Sequence, residues 1–247
     1  MPLAHWYTGV VTDIRDIAPE VRSFTLHIPE TDHFDFKAGQ FITFDLPVSE
    51  KRINRWRSYS IASPPGKSNF IELCIVRFDQ GLGSSYFFNE VIPGSTLKFK
   101  GPEGGFILPS QIDHDLVLVC TGTGVAPFRS MLFDLKNNPR PHHKIHLIFG
   151  TRKHDDILYR EEFIQLQTDL PGFSFDVALS RENPDGQSNP SIHSGYVHPI
   201  YLKQYAQYRP DIHFYLCGWS QMIDEAVANL FVKLKYSKEQ IHYELYG

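Results

Sequence analysis

The chain has 247 residues, 42% of them hydrophobic, enough to bury one large core or two of ordinary size. Its 24 Lys and Arg stand against 28 Asp and Glu, a formal net charge of -4, so no global positive field points to nucleic acid or an anionic membrane; charge-guided docking must be local. The opening stretch Met1 to Val10 holds no long apolar run, which speaks against a signal peptide or membrane span and makes a cytoplasmic location the default.

Residues 1–108 read as short strands broken by turns: Gly9 to Ile14, Val21 to Ile28, Phe41 to Leu46, Arg57 to Ile61, Phe70 to Arg77 and Thr96 to Lys100. Pro19, Gly39, Pro47, the Pro64-Pro65-Gly66 turn and Pro93-Gly94 punctuate them, and no helical period is sustained, as in an antiparallel barrel or sandwich. One helix, Ser84 to Val91, interrupts the series. Residues 109–247 change rhythm. Apolar strands at Asp115 to Cys120, Lys144 to Gly150, Phe173 to Ser180 and Ile212 to Cys217 alternate with helical stretches at Pro127 to Lys136, Ile157 to Leu166 and Gln221 to Leu234. This is the pattern of a parallel sheet covered on both faces. The expected fold is therefore two-domain, an antiparallel β-barrel followed by a parallel-sheet α/β domain, with the boundary within residues 105–113.

Cysteine usage restricts the chemistry. Cys74, Cys120 and Cys217 are widely separated, with no Cys-x-x-Cys pair and too few thiolates for a four-cysteine centre. The histidines, including His142-His143, His5, His193 and His198, show no helical metal-ligand spacing supported by carboxylates and read as surface or structural. No metal is expected, and any redox cofactor should be organic.

Two segments carry chemistry. Val119-Cys120-Thr121-Gly122-Thr123-Gly124-Val125-Ala126-Pro127 brings small residues to the carboxyl end of a buried strand. Side-chain-free backbone there, with the unpaired amides and positive end of the next helix, suits a pyrophosphate. A tightly packed strand-to-helix connection would look the same. In Arg57-Ser58-Tyr59-Ser60, strand alternation puts Arg57 and Tyr59 on one face, so that a guanidinium and a flat ring can meet one ligand. A salt-bridged arginine beside a cross-strand tyrosine explains that segment equally well.

Taken together, in this order and spacing, the two segments resemble the ferredoxin–NADP reductase family of flavoenzymes, and the resemblance covers nearly the whole chain. Six further segments agree: Leu73-Cys74-Ile75-Val76-Arg77, Gly81-Leu82-Gly83-Ser84, Gly101-Pro102-Glu103-Gly104-Gly105-Phe106, Gly150-Thr151-Arg152, Leu179-Ser180-Arg181-Glu182 and Tyr215-Leu216-Cys217-Gly218. The resemblance implies FAD in the first domain, with Arg57 on its phosphates, Tyr59 stacked on the flavin or ribityl arm, Ser58 in the same strand and Ser60 near flavin N5. Cys74, Ile75, Val76, Arg77, Gly81, Leu82 and Gly83 complete that site, with Ser84 at a helix amino end facing the pyrophosphate or acting as a plain N-cap.

For NADP(H) in the second domain the resemblance implies Gly122, Thr123, Gly124, Val125, Pro127, Thr151, Gly218 and Met222. Cys217, between Leu216 and Gly218, would lie against the nicotinamide, whereas an isolated strand-end cysteine would read as a buried structural thiol. Arg152, Ser180 and Arg181 match positions that hold a 2′-phosphate, while Tyr196 after Gly195 matches relatives that stack a tyrosine on adenine. Trp219 departs from the small or amide residue common at its place. Tyr246 would cover the flavin until nicotinamide displaces it, and Glu244 would relay a proton or fix the nicotinamide amide, with Gly247 trailing the family's usual ending.

The resemblance thus implies a reductase moving electrons between NADPH and a ferredoxin or flavodoxin through FAD. The run Lys51-Arg52-Ile53-Asn54-Arg55-Trp56-Arg57 offers local positive charge for an acidic carrier. Alternatives are an NADH-dependent reductase feeding an oxygenase or another iron–sulfur acceptor, a flavin electron-transfer subunit of a larger complex, and a binding protein without flavin.

Overall fold

The structure is a computed structural model that describes residues 5–183 and 189–246. Gly247, singled out above, and the first four residues lie outside them. Two compact units emerge: Met1–Ile107 with Ala126–Asp134, and Leu108–Val125 with Leu135–Gly247.

The first unit is a six-stranded antiparallel sheet: β1 (Trp6–Ala18), β2 (Val21–His27), β3 (Phe41–Asp45), β4 (Trp56–Ser60), β5 (Phe70–Val76) and β6 (Thr96–Glu103), in the order β4-β3-β6-β1-β2-β5. An antiparallel bridge between Ile61 and Leu73, with the Ala62 amide on the Glu72 carbonyl at 2.7 Å, brings the two end strands together and closes the sheet into a barrel. Alternating residues fill it. Phe24, Phe44, Phe87 and Phe99 are fully buried, with ring centroids 5.1–5.9 Å apart in edge-to-face contacts. Each such pair adds about 0.5–1.5 kcal/mol beyond the area it buries.

Two expectations are corrected here. β1 is 13 residues long rather than six, because register shifts between Val11 and Asp13 and between Asp16 and Ala18 break its period while the strand continues. The helix α1 (Leu82–Asn89) starts two residues before Ser84. Gly81, in extended conformation, stands at its cap position without a side-chain cap bond. Ser84 is not the N-cap: its hydroxyl donates to the Phe78 and Gly81 carbonyls and accepts the Phe78 amide, pinning the preceding turn.

In the second unit all strands are parallel: β7 (Asp115–Thr121), β8 (Ile145–Thr151), β9 (Phe173–Leu179), β10 (Ser191–Ser194), β11 (Ile212–Trp219) and β12 (Ile241–Tyr246), in the order β10-β9-β8-β7-β11-β12. The first six residues of β7 and of β8 are all buried, as a sheet covered on both faces demands. Of the helices, α3 (Arg160–Asp169), α4 (His198–Gln204) and α5 (Ser220–Ala228) belong to this unit, while most of α2 (Ala126–Asn137) clusters with the first. α3 begins later than the apolar pattern predicts, after Tyr159 in left-handed conformation (φ 55°), and α5 gives way to a wider π turn at Asn229–Lys233. Strand order reverses between β7 and β11, so their carboxyl ends flank a topological switch point, the place where open α/β sheets bind ligands. Among the described residues no helix is long and apolar enough to cross a membrane.

Candidate functional site

In the barrel unit, β4 alternates as its sequence requires. Tyr59 packs against the core, 5.3 Å from Phe87 and 6.0 Å from Phe44, while Ser58 is exposed. A methyl group at Gly83 would lie 2.8 Å from Arg57 Cγ and 3.1 Å from Tyr59 Oη. The first turn of α1 is therefore laid directly on the Arg57 and Tyr59 face, a close approach that only glycine permits. Arg57 donates to its neighbour's carbonyl, Trp56 O, at 2.7 Å and, among the described residues, forms no ion pair. A half-buried guanidinium without a carboxylate, beside an uncapped helix amino end, is a donor set suited to phosphate. Burial raises the Tyr59 hydroxyl above its ordinary pKa, against the pull of Arg57, so it stays a neutral donor. Ser60 is buried at the end of β4. On β5, Cys74 and Ile75 are buried and Val76 is exposed; Arg77, just past the strand, is exposed too, and its amide donates to Glu20 O at 2.8 Å.

At the switch point of the second unit the glycines are set by contact. A methyl group at Gly124 would collide with the Cys217 carbonyl oxygen and lie 2.7 Å from Gly218 Cα; one at Gly218 (φ 134°) would lie 2.5 Å from Thr121 Oγ1. The turn Gly122–Val125 is thus wedged against the end of β11. Thr121, given no separate role in the sequence, makes the join, its hydroxyl accepting the Trp219 amide at 3.3 Å. Its place within Cys-Thr-Gly was the available signal. Pro127 is the second residue of α2, where a missing amide hydrogen costs nothing.

Cys217 is fully buried at the end of β11, opposite Glu244 on β12. Burial, then the Glu244 carboxylate, push its thiol well above the ordinary range, and a Tyr246 side-chain hydrogen bond only partly opposes them. A neutral, soft thiol results. Cys120 pairs directly with Cys217 in register and is raised for the same reason, burial first. Met222 is buried in the first turn of α5, and Trp219 is 57% exposed before it.

The ends of β8 and β9 bring Thr151, Arg152, Ser180 and Arg181 together. The Ser180 amide donates to Thr151 O at 3.0 Å and the Arg181 amide to Arg152 O at 2.9 Å. Carboxylates close in sequence are engaged elsewhere, Asp156 with the Lys153 amide and Glu182 with the His154 amide. Among the described residues neither guanidinium is ion-paired, and both are exposed. Tyr196 is 70% exposed after Gly195, whose φ is 99°.

Residues 8–107 match the oxidoreductase FAD-binding domain family and residues 118–228 the oxidoreductase NAD-binding domain family. The ferredoxin–NADP reductase B of Sorangium cellulosum is 30% identical over 235 residues, 94% of each chain. The chain belongs to the ferredoxin–NADP reductase family. It is also 29% identical to the phenol hydroxylase P5 protein of Acinetobacter pittii over 96% of its own length, but it spans only 65% of that protein. Among solved structures, the cytochrome P450 reductase of Amycolatopsis superposes with a TM-score of 0.84 at 27% identity, covering 98% of this chain and 69% of that one. An oxidoreductase with FAD-binding and NAD(P)-binding domains is therefore shown.

Proposed function

We propose that this flavoprotein uses NADPH, FAD and a one-electron carrier protein, a ferredoxin or flavodoxin, as its redox partners. When bound, FAD accepts two electrons from the nicotinamide nucleotide and passes them on singly. The chain's own residues hold and shield these groups. Arg57 and the uncapped amides of α1 bind the FAD phosphates, Tyr59 and Ser60 orient the flavin, and residues 1–108 constitute its domain. Residues 109–247 bind the nucleotide, with the glycine wedge at the switch point admitting the pyrophosphate to the α2 amino end. Cys217 offers a neutral contact to the nicotinamide, Glu244 fixes its amide or holds a proton, and Tyr246 gives up its place to the ring.

The observation carrying the NADPH reading is the pair of exposed guanidiniums, Arg152 and Arg181, without carboxylate partners and flanked by Ser180. A 2′-phosphate supplies the missing charge. Anaerobic titration with each nucleotide, after identifying the released flavin by mass, tests it. We expect bleaching at much lower NADPH than NADH, and Arg181→Ala should raise the NADPH requirement about tenfold, the worth of about 1.4 kcal/mol, while leaving NADH unchanged. Equal bleaching by both nucleotides in both proteins would remove the 2′-phosphate role.

A second reading, an NADH-dependent reductase serving an oxygenase, draws on exposed Tyr196 as an adenine platform and on the phenol hydroxylase and P450 reductase relatives. Preferential bleaching by NADH would favour it. A protein that binds no flavin would end both.

A further inference from the structure

The second unit contains a buried polar chain outside the residues assigned to cofactors. Tyr201 of α4 is fully buried, and His198 and Asn229 nearly so. Asn229 Nδ2 donates to Tyr201 Oη at 3.0 Å, His198 Nδ1 lies 2.8 Å from the same oxygen, and His198 Nε2 lies 3.4 Å from Glu225 Oε2. The donors set a direction. With Asn229 on a lone pair of the Tyr201 oxygen, the buried hydroxyl proton is satisfied by donating to His198 Nδ1, which leaves the histidine proton on Nε2, towards Glu225. Burial holds the Tyr201 hydroxyl above its ordinary pKa. It also holds His198 below its own, helped by Lys233 and opposed by Glu225, so at neutral pH both are uncharged and the relay runs Asn229, Tyr201, His198, Glu225.

The relay joins two helices, each of which follows a left-handed glycine. α4 comes after Gly195 (φ 99°) and α5 after Gly218 (φ 134°). α4 leads back to one end of the proposed nucleotide site. A methyl group at Gly150 would lie 2.8 Å from Val197 Cγ1, so the residue that opens α4 packs on the one that precedes Thr151 and Arg152. α5 leads to the other end, through buried Met222 in its first turn and the Trp219 amide on Thr121 Oγ1. At its far end α5 widens into the π turn, where the Leu234 amide donates to Asn229 O at 3.0 Å; such turns recur at functional positions.

We propose that Tyr201, with Asn229 and His198, is a positioning residue for the nucleotide: the relay fixes α5 against α4, and with them the nicotinamide end of the site against the 2′-phosphate end. The inference rests on the nucleotide-binding reading above. The two helices share one apolar cluster, which holds them together without setting their register, because apolar attraction has no direction. Hydrogen bonds in a buried chain do have one. A dinucleotide that must meet Arg152 at one end and Cys217 at the other depends on that register, whereas the flavin, held by the other unit, does not. Protonated His198 would put a hydrogen on Nδ1, facing the Tyr201 proton, so acid breaks the relay at its centre.

The test uses FAD-loaded protein, NADPH and NADH as reductants and ferricyanide as the artificial acceptor, with KM, kcat and melting temperature measured across pH. Tyr201→Phe is compared with Tyr205→Phe, which removes the 2.8 Å bond from the carboxyl end of α4 to His146 of β8 and leaves α5 alone. Tyr201→Phe should raise the nucleotide KM about fivefold or more at neutral pH with kcat nearly unchanged, while Tyr205→Phe lowers the melting temperature without moving KM. His198→Asn, whose side-chain oxygen can accept the Tyr201 proton but does not titrate, should keep the neutral KM and lose the extra rise that the wild type shows below about pH 6.5. Equal KM changes in the two tyrosine variants, no change in Tyr201→Phe, or the same acid rise in His198→Asn as in the wild type overturns the positioning role and leaves the reductase reading standing. A wild type that neither nucleotide reduces overturns the reductase reading itself.

Discussion

A methyl group at Gly124 has nowhere to go, because the Cys217 carbonyl and the Gly218 α-carbon already hold the space. Gly124→Ala should therefore cost about 1–3 kcal/mol, the usual penalty of overpacking, and weaken nucleotide binding while sparing flavin content; melting curves and a nucleotide titration read the two effects separately. Cys217 and Cys120 make a second prediction. Both thiols are buried and held protonated, so neither should be alkylated by iodoacetamide at mildly alkaline pH in the folded protein, and both should react once it is unfolded. The shared face of Arg57 and Tyr59 was legible because strand alternation follows from the backbone alone. Ser84 was not, since a serine that caps a helix and one that folds back onto the turn before it have the same sequence neighbours.

Helix α2 shows how an element can serve a unit to which its flanks do not belong. Its Arg129 donates to Ala62 O at 2.9 Å and stands 3.5 Å from Glu72, with both side chains nearly buried, and Ser130 donates to Ser63 O at 2.7 Å. Arg129→Ala takes the guanidinium from a nearly buried carboxylate, with Arg15 3.7 Å away on its other side, and should cost about 3 kcal/mol. In a chain of this size that lowers the melting temperature by roughly 6–12 °C, to be read by calorimetry. Strands β7 and β8 were plain in the sequence, being continuous apolar runs. β10 and α4 passed unnoticed because four residues, Ser-Ile-His-Ser, and a seven-residue helix are too short to establish a period.

The whole chain carries an acid-sensitive seam that spacing along the sequence could not reveal. His114 and His213 stack at 3.8 Å between ring centroids, and His213 stacks on His242 at 5.3 Å with their ring nitrogens 3.0 Å apart. Tyr215 faces His242, and Asp113 holds His114. Burial, then the neighbouring His114 and His242 side chains, push His213 down to about 4, against a smaller opposing pull from Asp113; His242 shifts the same way. An unfolded histidine protonates near pH 6.5, so between that pH and about 4 the unfolded chain binds more protons. Stability should be full above pH 6.5 and fall on acidification through this window. His213→Asn should flatten the decline, as melting temperatures across the range would show. Overall class and cofactor type were readable because ordered motifs recur along the chain, whereas this stack joins residues about 100 and 30 positions apart, separations at which no local pattern operates. Because Ala126–Asp134 clusters with the barrel, the polypeptide passes between the two units three times, after Ile107, Val125 and Asp134. A gene fragment ending at residue 108 would leave the Ala62 and Ser63 carbonyls and Glu72 without Arg129 and Ser130. Modules stitched in this way are not interchangeable at a single recombination point: a chimaera that borrows a relative's barrel must borrow that relative's α2 segment with it.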